Sequence, residues 1–353
     1  MAQREGHSVH LVGSVPLADA AAVFETAGSI LGDHIPRLPD GETGPRKNWV
    51  NFQYAMLTRH PAFEFAGPPI DPDTVVFEGG GQGADYAMPT PVRLRAGVTP
   101  EDVRFEKLGY FDTARASYET FARLKKQGKI RSGCRFMVAL PTPLAPIAPF
   151  VVPEQIDKVL PAYARGLMGE LAKICEAIPH KELAIQWDIA VEFGVWEGIF
   201  PAPPGDWKSA MLVQLAQLGD AVPPEVELGF HLCYGDRGHK HFKEPTDTAN
   251  LVEVANGISA RVKRSIEWIH MPVPRGRSDD AYFAPLKSLK LKPGTELVLG
   301  LVHHTDGVDG TRKRMKAAEK VVKNFGIATE CGLGRRDPKT IPALLKIHAE
   351  AAG

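Results

Sequence analysis

Val226-Glu-Leu-Gly-Phe-His-Leu-Cys233 is an apolar run that breaks at Tyr234-Gly235-Asp236 into turn residues. Side chains two apart on a strand share a face, so His231 and Cys233 point the same way at its C-terminal end. Imidazole and thiolate on one face are the ligand chemistry that zinc prefers. Taken alone the pair says little, because a buried cysteine is commonly an inert small hydrophobe. What decides the reading is the rest of the chain.

Working outward, four more runs share this near-continuous apolar character: Leu183-Ala-Ile-Gln-Trp-Asp188, Ser265-Ile-Glu-Trp-Ile-His270, Glu296-Leu-Val-Leu-Gly-Leu-Val302 and Phe325-Gly-Ile-Ala-Thr-Glu330. Strands of a parallel sheet, buried on both faces, look like this. Ser8-Val-His-Leu-Val-Gly-Ser14, the segment 37–42 and Arg135-Phe-Met-Val-Ala-Leu140 bring the strand candidates to eight. Helices are expected at 16–31, 112–127, 153–177, 207–218, 246–262, 310–324 (capped by Asp309) and 338–351. Strand–helix alternation at this count predicts an α/β fold, a single (β/α)8 TIM barrel over residues 1–353. A long irregular insertion at about 45–109, with a short helix near 49–57, follows the second strand. Such barrels gather their chemistry at the C-terminal strand ends. Here those ends read Ser14, Glu42, Asp188, His231 and Cys233, His270, His303 and His304, and Cys331.

Composition narrows the partners. Lys+Arg and Asp+Glu both number 42, so no net field draws nucleic acid or an anionic membrane. The longest charge-free apolar stretch, 136–153, carries Pro141, Pro143, Pro146, Pro149 and Pro153, which a spanning helix does not tolerate. The polar start, Met-Ala-Gln-Arg-Glu-Gly-His, lacks the apolar core of a secretory signal. With four cysteines in 353 residues, a reduced, cytoplasmic setting and a small-molecule substrate are expected.

Cys331 closes the eighth run and offers a third ligand beside His231 and Cys233. Three protein ligands and one open position are the catalytic zinc pattern, as distinct from the closed four-ligand structural one. Zinc depresses the pKa of a bound thiol, which suits the site to alkylating sulfur. His270, and after it Glu267, are the candidates for a fourth ligand. Asp188 either holds a substrate amine or caps its loop. One of His303 and His304 is expected to assist as a proton donor or hydrogen bonder. Gly79-Gly-Gly-Gln-Gly83 lacks the Lys-Ser/Thr of a phosphate loop and reads as a linker. His239 and His241, in a Lys-rich loop, read as solvated.

These residues resemble a known family. His231-Leu-Cys233-Tyr is similar to the His-Met-Cys-Tyr zinc motif of the C-terminal catalytic barrel of cobalamin-independent methionine synthase, in the superfamily of uroporphyrinogen decarboxylase. Glu330-Cys331-Gly-Leu-Gly-Arg335 resembles its Asp-Cys-Gly-Leu-Lys-Thr-Arg, Val12-Gly-Ser14-Val-Pro16 its Ile-Gly-Ser-Phe-Pro, and Ile185-Gln-Trp-Asp188 its Ile-Gln-Ile-Asp. The resemblance implies Zn2+ on His231, Cys233 and Cys331, substrate contacts from Ser14 and Asp188, and a catalytic histidine at His304. It implies a methionine synthase-like transferase that moves a methyl or other alkyl group from a donor onto a small thiol. One alternative is a corrinoid-dependent methyltransferase working with a separate cobalamin protein; another is a metal-free barrel without transferase activity. The chain departs from the family pattern on strand six, where His270 stands near the place of a ligand glutamate, and in the 45–109 insertion.

Overall fold

The computed structural model describes residues 6–73, 75, 89–235 and 240–353. Ten strands lie among them: β1 (Val9–His10), β2 (Arg37–Pro39), β3 (Phe63–Phe65), β4 (Val92–Leu94), β5 (Arg135–Pro141), β6 (Leu183–Ile189), β7 (Glu227–Leu232), β8 (Trp268–Pro272), β9 (Glu296–Gly300) and β10 (Phe325–Ala328). Eight form one parallel sheet in the order β1-β10-β9-β8-β7-β6-β5-β2, the nearly closed wall of a (β/α)8 barrel. Near its top the two ends of that order meet, where Val15 N–H donates to Gly41 O at 2.8 Å.

The apolar runs work as their two-sided burial requires. Leu183, Ile185, Trp187 and Ile189 of β6, and Leu228, Phe230 and Leu232 of β7, pack in the main core beneath the helices. The opposite parity fills the barrel interior, where Val12, Met137, Ala184, Trp268, Val298 and Ala328 form a cluster of their own. His10, Gln186, His231 and His270 continue that inner layer, all 2% exposed or less. Gly229 is glycine because a Cβ there would overlap the Trp268 indole, which crosses the interior.

The N-terminal end of the barrel is sealed by matched charges. Arg37 meets Glu227 at 2.5 Å and lies 4.2 Å over the Trp268 ring. Arg135 shares the same Glu227 at 3.0 Å, and Ser8 donates to Glu296.

Several boundaries differ from the sequence expectation. β8 begins at Trp268, not 265, because Glu267 Oε2 accepts the Leu228 N–H at 2.6 Å and Glu267 Oε1 accepts from Ser265 at 2.6 Å. The first helix runs Ala20–Leu31, capped by Asp19, whose side chain accepts the Ala22 N–H at 2.8 Å. Helix Gly307–Ala318 starts ahead of Asp309; Asp306 stands at its N-cap and pairs with Arg314 at 2.6 Å. The insertion is more ordered than expected: β3 and β4 form an antiparallel hairpin, and Val92 bonds Phe150 O and Val152 N beyond β5. Gly79–Gly83 lies outside the described residues. No helix among the described residues is long and apolar enough to cross a membrane.

Candidate metal centre

β7 delivers His231 as an inward residue, and Cys233 follows two positions on, its N–H held by Ile189 O at 2.9 Å. Cys331 arrives from the turn after β10. One ligand atom from each of His231, Cys233 and Cys331 lies within 4.8 Å of the others. The two sulfurs are 3.7 Å apart, with both cysteines free. A disulfide needs about 2.0 Å, whereas two sulfurs at ~2.3 Å from a tetrahedral zinc stand about 3.8 Å apart.

The third donor fits the same ion. His231 Nδ1 is 2.7 Å from His270 Nδ1, while His231 Nε2 is buried with no hydrogen-bond partner among the described residues. Burial, then the neighbouring His270 and His10, hold the His231 imidazole neutral, well below its usual pKa. A neutral imidazole with a bare buried nitrogen beside two thiols is a metal donor set. The residues present therefore fit zinc. His270 is engaged elsewhere, its Nε2 3.0 Å from Thr329 O, and Glu267 sits at the opposite end of the barrel.

Beside the cluster lie the carboxylates, Asp188 standing opposite His231 in the β6–β7 register. Asp188 is 6% exposed, and burial followed by the Glu42 charge pushes its pKa well up, against the pull of the Gln186 amide at 2.9 Å. Glu42 is half-buried, and desolvation lifts its carboxyl to about 7 despite Arg46 and Arg335. Its backbone is left-handed (φ 47°), as is that of Trp49 (φ 55°) beside Asp188. Non-glycine residues adopt this conformation rarely, and it concentrates at functional sites. Ser14 is 7% exposed; its Oγ accepts the Gly334 N–H at 3.1 Å and its carbonyl the Leu333 N–H at 2.6 Å. Gly332 has no room for a Cβ against Ser14 Oγ, which ties the Cys331 turn to the Ser14 loop.

Glu330 directly precedes Cys331. Its Oε2 is 3.5 Å from His303 Nδ1, and its Oε1 is 3.0 Å from His241 Nε2. His303 is also held by Val273 O at 2.9 Å; His304, partly exposed, occupies the next position. His241 is therefore not a solvated loop residue. Burial lowers its pKa, but Glu330 and Glu244 outweigh that and raise it to about 9. Its neighbour His239 lies outside the described residues. Of the expected residues, Ser14, Asp188, His231, Cys233 and Cys331 converge; Glu42, His241 and Glu330 join them without having been assigned roles.

Comparison by sequence finds no matching family model and no matching curated protein. Comparison by structure finds several barrels. A Listeria monocytogenes protein assigned as a vitamin-B12-independent methionine synthase superposes with TM-score 0.53 at 13% identity, over 99% of each chain. A B12-independent methionine synthase from a Shewanella species, in complex with selenomethionine, gives 0.55 at 16% identity, over 98% of this chain and 96% of that one. A methyltransferase from Methanosarcina mazei gives 0.51 at 12%, over 99% and 95%. At such identities the likeness establishes a shared fold, the (β/α)8 barrel along nearly the full chain.

Proposed function

We propose that this chain is a zinc-dependent transferase that moves a methyl or other alkyl group onto a small thiol bearing an amine. The observation that carries the reading is the His231–Cys233–Cys331 cluster: three donors at metal spacing, with His231 Nε2 bare, at the C-terminal mouth of the barrel. The methionine synthases and the methyltransferase among its structural neighbours support the same class of chemistry.

His231, Cys233 and Cys331 would hold the ion, which when bound supplies a Lewis acid that keeps a substrate thiol in its nucleophilic thiolate form. Asp188 and Glu42 are a carboxyl pair that resists ionising together, so a cation placed between them relieves both. A substrate ammonium is that cation, and the Ser14 loop fixes the other end of the same amino-acid moiety. Attack by sulfur forms one S–C bond as the donor's bond to carbon breaks. The donor's leaving group then takes a proton, and His241 Nε2, charged against Glu330, carries one at the mouth. Of the two histidines after β9, His304 is the one the resemblance points to for assistance, and His303 is the one joined to Glu330.

The test measures zinc per chain in protein purified without chelator, then methylation of a panel of aminothiols. Methyl folates and methylcobalamin, standing in for a corrinoid protein, serve as donors. Near one zinc and zinc-dependent methylation of an aminothiol are expected. A folded protein without zinc would leave a barrel whose cysteines are core.

A further inference from the structure

The interior behind the metal ligands carries a chain of imidazoles with directional hydrogen bonds. β7 and β8 pair in parallel with His231 directly opposite His270. Their Nδ1 atoms lie 2.7 Å apart, so a single hydrogen occupies that contact. His270 Nε2 faces Thr329 O at 3.0 Å. A carbonyl only accepts, so this nitrogen carries a hydrogen. His270 is fully buried, and no carboxylate is hydrogen-bonded to it among the described residues. A second hydrogen there would be a buried charge without an anion. His270 Nδ1 is therefore bare and accepts from His231 Nδ1–H, and the bare nitrogen of His231 is Nε2. That is the atom found buried without a partner.

We infer that His270 is a positioning residue that locks His231 in the tautomer offering Nε2 to the metal, leaving three protein ligands and an open fourth position. The inference rests on the metal reading of this site but differs from the sequence expectation, in which His270, or else Glu267, was a candidate for the fourth ligand. Its anchor is the backbone of Thr329, two residues before Cys331, so β8 ties one metal donor to the strand end that delivers another. Histidine ligands orient through the nitrogen they do not use for the metal, typically toward a carbonyl or carboxylate. Here a second imidazole relays that contact.

Two measurements separate this inference from the reading beneath it. Nitrogen chemical shifts of the metal-free protein report the tautomer directly: His231 protonated on Nδ1 and His270 on Nε2 is the expected result, and the reverse for His231 overturns the inference. Zinc affinity, by competition with a chromophoric chelator, follows in variants. His270→Leu is expected to weaken binding roughly 10–100-fold while keeping one zinc per chain at saturation. His270→Gln, whose carbonyl can accept from His231, should recover most of that loss and covers the case in which the leucine variant does not fold. Unchanged affinity in His270→Leu, or X-ray absorption showing two protein imidazoles on the zinc, overturns it. Absence of zinc in wild type overturns the metal reading itself, whatever the tautomer.

Discussion

At the N-terminal end of this barrel, Arg37 and Arg135 share Glu227, and Arg37 also stacks on Trp268. At the C-terminal end, Asp188 and Glu42 face one another with their carboxyls held above the ordinary range, and His231 Nε2 is left bare. Both ends use buried polar groups, and β7 supplies one to each, Glu227 below and His231 above. One end pairs most of its charges within the chain; the other holds the donors and carboxyls that the proposed reading gives to a metal and a cation. On that reading the lower end serves stability and the upper end binding, a division this fold commonly shows.

The strongest way to break that contrast is a pair of substitutions. Cys331→Ser is expected to abolish both stoichiometric zinc and transfer activity, with the fold retained by circular dichroism. Arg37→Leu leaves Glu227 partly unpaired and should cost roughly 3 kcal/mol in urea unfolding, with activity per folded molecule unchanged. Loss of activity without loss of stability in Arg37→Leu would erase the distinction. Asp188→Asn comes next. It keeps an oxygen for Gln186 and removes a charge the free protein resists, so thermal stability at neutral pH should not fall. KM for the aminothiol should rise roughly tenfold or more, the loss of a charged hydrogen bond at about 1.5–3 kcal/mol.

The smallest effect is a pH slope. Glu42 moves from the ordinary 4.5 to about 7 on folding, so between those values the native state holds a proton that the unfolded chain has lost. Stability then falls as pH rises through that window. Because Glu42 is half-buried and near solvent at the mouth, the contribution is about 1–2 kcal/mol. Glu42→Gln should flatten the slope between pH 5 and pH 8 by that amount, and an amine-bearing ligand should flatten it in wild type. A slope identical in Glu42→Gln would place the titration elsewhere.

The barrel was legible because β6, β7 and β9 are near-continuous apolar runs buried on both faces, a pattern that few arrangements besides a covered parallel sheet can use. The candidate metal donors were legible for a simpler reason: His231 and Cys233 are two apart on a strand, and period-two geometry places them together regardless of tertiary detail. His241 was not, since its loop folds back onto Glu330, 89 positions further along, and no local pattern announces such a contact. The β3–β4 hairpin escaped notice because its strands are three residues each, with 26 residues between them. His270, a candidate fourth ligand by sequence, stands against the His231 imidazole. Whether an imidazole meets a metal or another imidazole depends on cross-strand register, which the sequence of β8 alone does not contain.

The pairing of Val9 with Ile327 joins positions 318 apart. Contacts of such separation form late, since the intervening chain must first be ordered. Cys331 lies just beyond β10, which has β9 on one side and β1 on the other. It reaches Cys233, 98 positions earlier, once that last strand has docked. An ion at the proposed site would thus not template early collapse in the manner of a zinc finger. During synthesis, its loading would mark a chain whose barrel has already closed.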